Sequence, residues 1–160
     1  MIDENSTKEE VLEAVKDWGG RLQYANDELR SDCDIVLEAV TSDGFALQYA
    51  NKELRGDREI VLAAVSKEGY ALNYASDELK DDRDFILEAV TENWLALEFA
   101  SAKFSDDKEI VLAAVNQAGY AGDFASEELR CEMAECWAEC MEQEVKNDLV
   151  AFYGINGRFW

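Results

Sequence analysis

The chain has 160 residues, 15 of them Lys or Arg and 36 Asp or Glu, for a formal net charge of −21, and it contains no His and no Pro. With 48% apolar and 11% aromatic residues it is too hydrophobic for a disordered acidic tail, and a core is expected. The lack of His removes the usual general base and the commonest zinc ligand, and the negative charge disfavours nucleic acid and anionic membrane surfaces.

The opening residues, Met1 to Asn5, lack the basic and apolar regions of a signal peptide, and no apolar run approaches the roughly 18 residues of a membrane span. The expectation is a soluble protein of the cytoplasm or of a soluble organelle compartment. Residues 1–10 are expected to form an N-terminal lead-in and cap.

From Val11 the chain repeats itself. V-L-E-A-V at Val11 returns at Val36, as V-L-A-A-V at Val61, as I-L-E-A-V at Ile86 and as V-L-A-A-V at Val111, a constant step of 25 residues without insertion. In each unit a first helix is predicted to open at an N-cap, Asp32, Asp57, Asp82 or Asp107, with Ser6 or Thr7 in the first copy. Acidic residues after the cap suit the positive end of the helix dipole. On a wheel of about 100° per residue, Ile60, Val61, Leu62, Ala64 and Val65 form a wide apolar arc opposite Ala63, Ser66 and Lys67. This helix is predicted to stop at Gly19, Gly44, Gly69 and Gly119, read as left-handed C-terminal caps, with Trp94 as the exception.

A second helical segment comes next. The same wheel puts Tyr70, Ala71, Leu72, Tyr74 and Ala75 on a buried side and Asn73 opposite. The segment is expected to break or tighten at Asn26, Asn51, Ser76, Ser101 and Ser126, in a short turn that delivers Leu29, Leu54, Leu79, Phe104 and Leu129 to the core. The Glu28, Glu53, Glu78 and Glu128 column is read as turn-stabilising, pairing with Arg30, Arg55, Lys80 and Arg130.

Helix pairs this small cannot bury their apolar faces alone. The predicted fold is therefore all-α: an α-solenoid of five tandem 25-residue helix-turn-helix repeats over residues 11–130, with a C-terminal capping helix and aromatic tail over 131–160. The stretch from Glu127 to about Val150 shows helical spacing through Leu129, Met133, Cys136, Trp137, Cys140, Met141, Val145 and Leu149.

The segment Glu59 to Lys80, E-I-V-L-A-A-V-S-K-E-G-Y-A-L-N-Y-A-S-D-E-L-K, closely resembles the domain-of-unknown-function 4116 (DUF4116) repeat family, and the likeness extends through all five units. The resemblance implies helical repeats and an interaction scaffold, with no catalytic residues to carry over. Repeat four departs most, with Trp94 for Gly, Leu95 for the aromatic, Lys103 for Glu, and Phe104 and Ser105 following.

Candidate chemistry is sparse. Cys136 and Cys140 share a helical face while Cys131 points elsewhere and Cys33 is distant, so no standard metal pattern forms and reduced thiols are expected. Asp81-Asp82 and Asp106-Asp107 place adjacent carboxylates at successive corners, but they coincide with N-caps and lack a calcium loop. The leading expectation is a non-enzymatic scaffold module without cofactor, an accessory or linker subunit of a larger assembly whose partner has a basic or mixed apolar and basic surface. Trp94, Lys103, Phe104, Phe159 and Trp160 are the candidate contacts. The alternatives are an acidic protein that responds to or buffers Ca²⁺ and, weaker, an enzyme with an unfamiliar site.

Overall fold

The computed structural model describes residues 2–132, and over that span the chain is helical with no strand. The expected capping helix over 131–160, with Cys136, Cys140, Phe159 and Trp160, lies outside the described residues except for its first turn, helical at Cys131 and Glu132.

Five ten-residue helices recur at the repeat period: α1 (Lys8–Asp17), α2 (Cys33–Ser42), α3 (Arg58–Lys67), α5 (Arg83–Glu92) and α6 (Lys108–Gln117), with a short α4 (Asp77–Lys80) between α3 and α5. Each starts where an oxygen-bearing side chain satisfies backbone donors that the first helical turn leaves free. Thr7 and Glu10 form a reciprocal capping box on α1, and one Asp57 oxygen accepts from the Glu59 and Ile60 amides at 3.0 and 3.1 Å. Asp32, Asp82 and Asp107 repeat that role on α2, α5 and α6. The buried positions Ile60, Val61, Ala64 and Val65 fall on the arc the sequence indicates, while Ser66 and Lys67 are exposed.

The helices end differently from the expectation. None of Gly19, Gly44, Gly69 or Gly119 has a left-handed backbone. The residue before each glycine, and before Trp94 in the fourth unit, turns the chain instead: Trp18, Asp43, Glu68, Asn93 and Ala118 are extended, with φ between −139° and −155°, and each gives its N–H to the carbonyl four residues back. Space accounts for the glycine at Gly19, Gly44 and Gly69, whereas a Cβ on Gly119 would meet nothing within 4 Å among the described residues. A Cβ on Gly44 would stand 2.6 Å from the Ala64 carbonyl oxygen of α3, and one on Gly19 would stand 2.1 Å from that of Ala39 in α2. Gly19 and Gly44 thus let the next unit's helix close onto the chain reversal, and Gly69 makes room for Asn93 and Leu95 of the next unit.

The second segment is a 3₁₀ helix in every unit: Gly19–Tyr24, Gly44–Tyr49, Gly69–Tyr74, Trp94–Phe99 and Gly119–Phe124. It ends at an extended Ala25, Ala50, Ala75, Ala100 or Ala125, and the chain then enters the short turn. The predicted break at Asn or Ser is present, with Asn26, Asn51, Ser76 and Ser126 side chains accepting from the Leu29, Leu54, Leu79 and Leu129 amides. Leu54, Leu79, Phe104 and Leu129 are buried, and Leu29 is half-buried against the same core.

The units stack in two layers. α1 packs on α2, α2 on α3, α3 on α5 and α5 on α6, while the 3₁₀ helices pack in the same succession. Backbone bonds link the turns across the stack: the Asn51, Ser76, Ser101 and Ser126 amides donate to the Arg30, Arg55, Lys80 and Ser105 carbonyls at 2.8–3.1 Å. At the N-terminal end the lead-in reproduces this turn, with Ser6 N–H bonded to the Asp3 carbonyl and the Asn26 side chain donating to the Glu4 carbonyl at 3.1 Å. Fully buried residues such as Leu22, Leu47 and Leu72 fill the space between layers, each worth roughly 1.5–3 kcal/mol over an exposed position.

Candidate interaction surface

The 3₁₀ geometry decides which aromatic rings reach solvent. With three residues per turn, side chains three apart eclipse one another, so Gly69, Leu72 and Ala75 form one column, Ala71 and Tyr74 a second, and Tyr70 and Asn73 a third. The first column is buried, the second holds buried Ala71 and half-buried Tyr74, and Tyr70 and Asn73 are exposed. An α-helical wheel puts Tyr70 in the core; the tighter helix moves it outward. Phe45 and Gln48 share the same exposed column one unit earlier.

The result is a row of rings. Among the described residues the exposed large apolar side chains are Trp18, Tyr24, Phe45 and Tyr70, all on or beside the first three 3₁₀ helices. The Phe45 and Tyr70 ring centroids are 6.1 Å apart, and Tyr70 lies 4.2 Å from half-buried Phe99. Trp94 and Phe124 form a separate stacked pair, with centroids 6.1 Å and planes 29° apart. Asp43 and Glu68 are the caps of the 3₁₀ helices that carry Phe45 and Tyr70, so an acidic residue stands two positions before each of these rings in the chain.

Charged side chains link the ends of successive helices. The first residue of a long helix pairs with the N-cap Asp of the next unit: Lys8 with Asp32 at 2.7 Å, Arg58 with Asp82 at 3.0 Å and Arg83 with Asp107 at 2.7 Å. Lys8 also reaches Asp34, Arg58 reaches Glu88, and Arg83 reaches Glu109. Cys33 occupies this position in α2, so Asp57 caps α3 without an ion pair among the described residues. Hydrogen bonds from Lys8 and from Arg83 hold the Asp32 and Asp107 carboxyls below their ordinary value, and those carboxylates raise Lys8 and Arg83 in return.

The sequence-predicted contact residues separate on inspection of their surroundings. Trp94 is half-buried against the core; its backbone N–H donates to the Gln117 side-chain oxygen at 3.2 Å, while the Gln117 side-chain amide donates to the Val90 and Thr91 carbonyls. Lys103 pairs with Asp81 at 3.0 Å, donates to the Asp81 carbonyl and lies 5.0 Å from the Phe104 ring centre. Phe104 is only 4% exposed and replaces the turn leucine in the core, which removes it as a surface contact. Among the described residues the turn Glu column shows no ion pair with its own cations, contrary to expectation: Arg30 and Lys80 bind Asp27 and Asp77 instead. Glu78 is lowered chiefly by its own backbone N–H and then by the Ser76 hydroxyl.

Three of the four acids in the two Asp pairs are engaged. Asp82 and Asp107 cap helices and hold arginines, and Asp81 is lowered by Lys103 and then by the Ser101 hydroxyl. Among the described residues no group of three or more His, Cys, Asp or Glu side chains is placed to hold a metal ion, and Cys33 and Cys131 are free and exposed.

The family model for the domain of unknown function DUF4116 matches residues 7–55, 57–105 and 82–130, together most of the chain. The chain belongs to the DUF4116 family. Each match spans two units and begins on an N-cap, Thr7, Asp57 or Asp82, so the DUF4116 unit is in register with the capped helices. No curated protein matches this DUF4116 chain, and no solved structure does. No helix among the described residues is long and apolar enough to cross a membrane.

Proposed function

We propose that this DUF4116 chain is a non-enzymatic interaction module, an α-solenoid of five 25-residue units that serves as an accessory or linker subunit in a larger assembly. The observation that carries this reading is the exposed ring row at Phe45 and Tyr70, supported from below by Phe99. Rings held at fixed spacing on a rigid element offer apolar area at little entropic cost to a partner. The net charge of −21 and the acidic Asp43 and Glu68 shortly before these rings in the chain favour a partner with a mixed apolar and basic surface. Trp94, stacked on Phe124, and the tail rings Phe159 and Trp160 are further candidate contacts.

Cross-linking mass spectrometry on native extract, comparing wild type with the double variant Phe45→Ser/Tyr70→Ser, tests the reading. Partner cross-links concentrated near the 3₁₀ helices, and lost in a variant that still melts cooperatively, are expected. An unchanged cross-link pattern in the variant would overturn it.

A further inference from the structure

We infer that the cleft at the N-terminal end of the stack is a docking site for a basic peptide segment, with a Lys or Arg side chain seated between Trp18, Tyr24 and the carboxylates of α1. This rests on the interaction-module reading and names a partner chemistry for one end of it.

The cleft has a volume of about 1200 Å³ and lies between the lead-in, the outer face of α1 and the first 3₁₀ helix. Its walls include Asp3, Glu10, Glu13, Asp17, Trp18 and Tyr24. Glu10, Glu13 and Asp17 share one face of α1 because they are spaced three and four residues apart. Their engagement differs. Glu10 accepts from the Thr7 amide at 2.9 Å, Asp17 pairs with Arg21 at 2.9 Å, and Glu13 has no hydrogen-bond or ion-pair partner among the described residues. Arg21 is the one cation lining the cleft among the described residues, against four carboxylates.

The rings supply an independent indication. Trp18 and Tyr24 are 49% and 51% exposed, more than any other large apolar side chain described. The stack does not call for a tryptophan here: the equivalent positions hold Asp43, Glu68, Asn93 and Ala118. A second departure accompanies it. Gly20 replaces the ring that stands at Phe45 and Tyr70, and a Cβ on Gly20 would lie 2.8 Å from the Trp18 ring. The two changes act together, since Trp18 lies over Gly20 only because that residue has no side chain. An aromatic platform thus stands at the edge of an acidic cleft.

Aromatic faces attract cations through the ring quadrupole, and adjacent carboxylates add charge complementarity. A bare metal ion fits poorly, because rings offer no oxygen ligands and no metal-holding acid group is present among the described residues. The cleft is larger than one Lys or Arg side chain needs, which favours a peptide segment over a free amine.

The test is calorimetric titration of the full chain at low salt with the synthetic peptide Gly-Arg-Gly-Lys-Gly-Arg-Gly, repeated with Trp18→Ala, Glu13→Gln and Tyr70→Ser. Wild type is expected to bind, with Trp18→Ala about tenfold weaker and Glu13→Gln several-fold weaker, while Tyr70→Ser reports whether the ring row takes the peptide instead. Thermal melts of each variant establish that it is folded. Absence of binding to wild type at about 1 mM peptide overturns the inference, as does equal binding by Trp18→Ala and Glu13→Gln, which would mark diffuse attraction to the acidic surface. Loss of binding in Tyr70→Ser alone moves the peptide to the ring row, which overturns the cleft while leaving the interaction-module reading standing.

Discussion

The glycines show how a residue's reason for being present can differ from its local sequence signal. Gly44 marks the end of α2, which suggests a left-handed cap, yet its backbone is ordinary and its role is to admit the Ala64 carbonyl of the next unit. Gly56 stands in a turn, and a Cβ there would meet nothing closer than the Ser76 hydroxyl at 3.5 Å. Opposite outcomes follow for the same substitution. Gly44→Ala forces a carbonyl and a methyl into overlap and should cost about 1–3 kcal/mol. Gly56→Ala restricts the unfolded chain without a clash and should be neutral or stabilising by up to about 1 kcal/mol. Urea unfolding of the two variants checks this, and equal destabilisation would contradict the close-approach account.

Two kinds of helix, one after the other, distinguish the layers. The long helices are fixed locally, by a capping side chain at the start and an apolar stripe along one face. The Asp57 cap isolates that contribution, because Cys33 stands where other units place a cation and Asp57 therefore caps α3 without an ion pair among the described residues. Asp57→Ala should lower stability by about 0.5–2 kcal/mol, with little sensitivity to moderate salt. Asp107→Ala removes the Arg83 pair as well as the cap, so its loss should shrink as salt screens the pair. Chemical unfolding at low and high salt distinguishes the two. The 3₁₀ helices are fixed differently: their sequence suits an α-helix nearly as well, and packing against the neighbouring unit selects the tighter winding.

For the whole molecule, the −21 charge does not act as one uniform field. Part of it is held in place by cations from an adjoining unit, at Asp32, Asp81 and Asp107, whose carboxyls lie below their ordinary 3.8, while Glu78 lies below its ordinary 4.5. A carboxyl lowered by folding contributes stability that is fully present above its unfolded value and lost as the pH falls through its folded value. The melting temperature should therefore be nearly level from about pH 8 to pH 6 and fall progressively below about pH 4.5. Circular dichroism melts across that range test it; an unchanged melting temperature at about pH 3 would show that these contacts do not hold the stack together.

Much of the architecture can be read from the sequence because it depends on neighbours in the chain. The constant 25-residue step, the Asp caps, the buried stripe of α3 and the break at Ser76 arise from contacts within a few residues, and all are present. The candidate surface is less legible. Tyr70 moves from core to solvent when the rotation per residue changes from about 100° to about 120°, and that choice depends on how closely the next unit approaches. The turn delivers Phe104 to the core as its place in the repeat indicates, which takes it out of the candidate contacts, while Lys103 stays exposed but tied to the Asp81 carboxylate and carbonyl. The order of residues alone specifies a helical repeat and where each long helix begins, since capping and periodicity act between near neighbours. Which rings face outward and which carboxylates are neutralised is settled by packing between units, since both depend on groups a full repeat away.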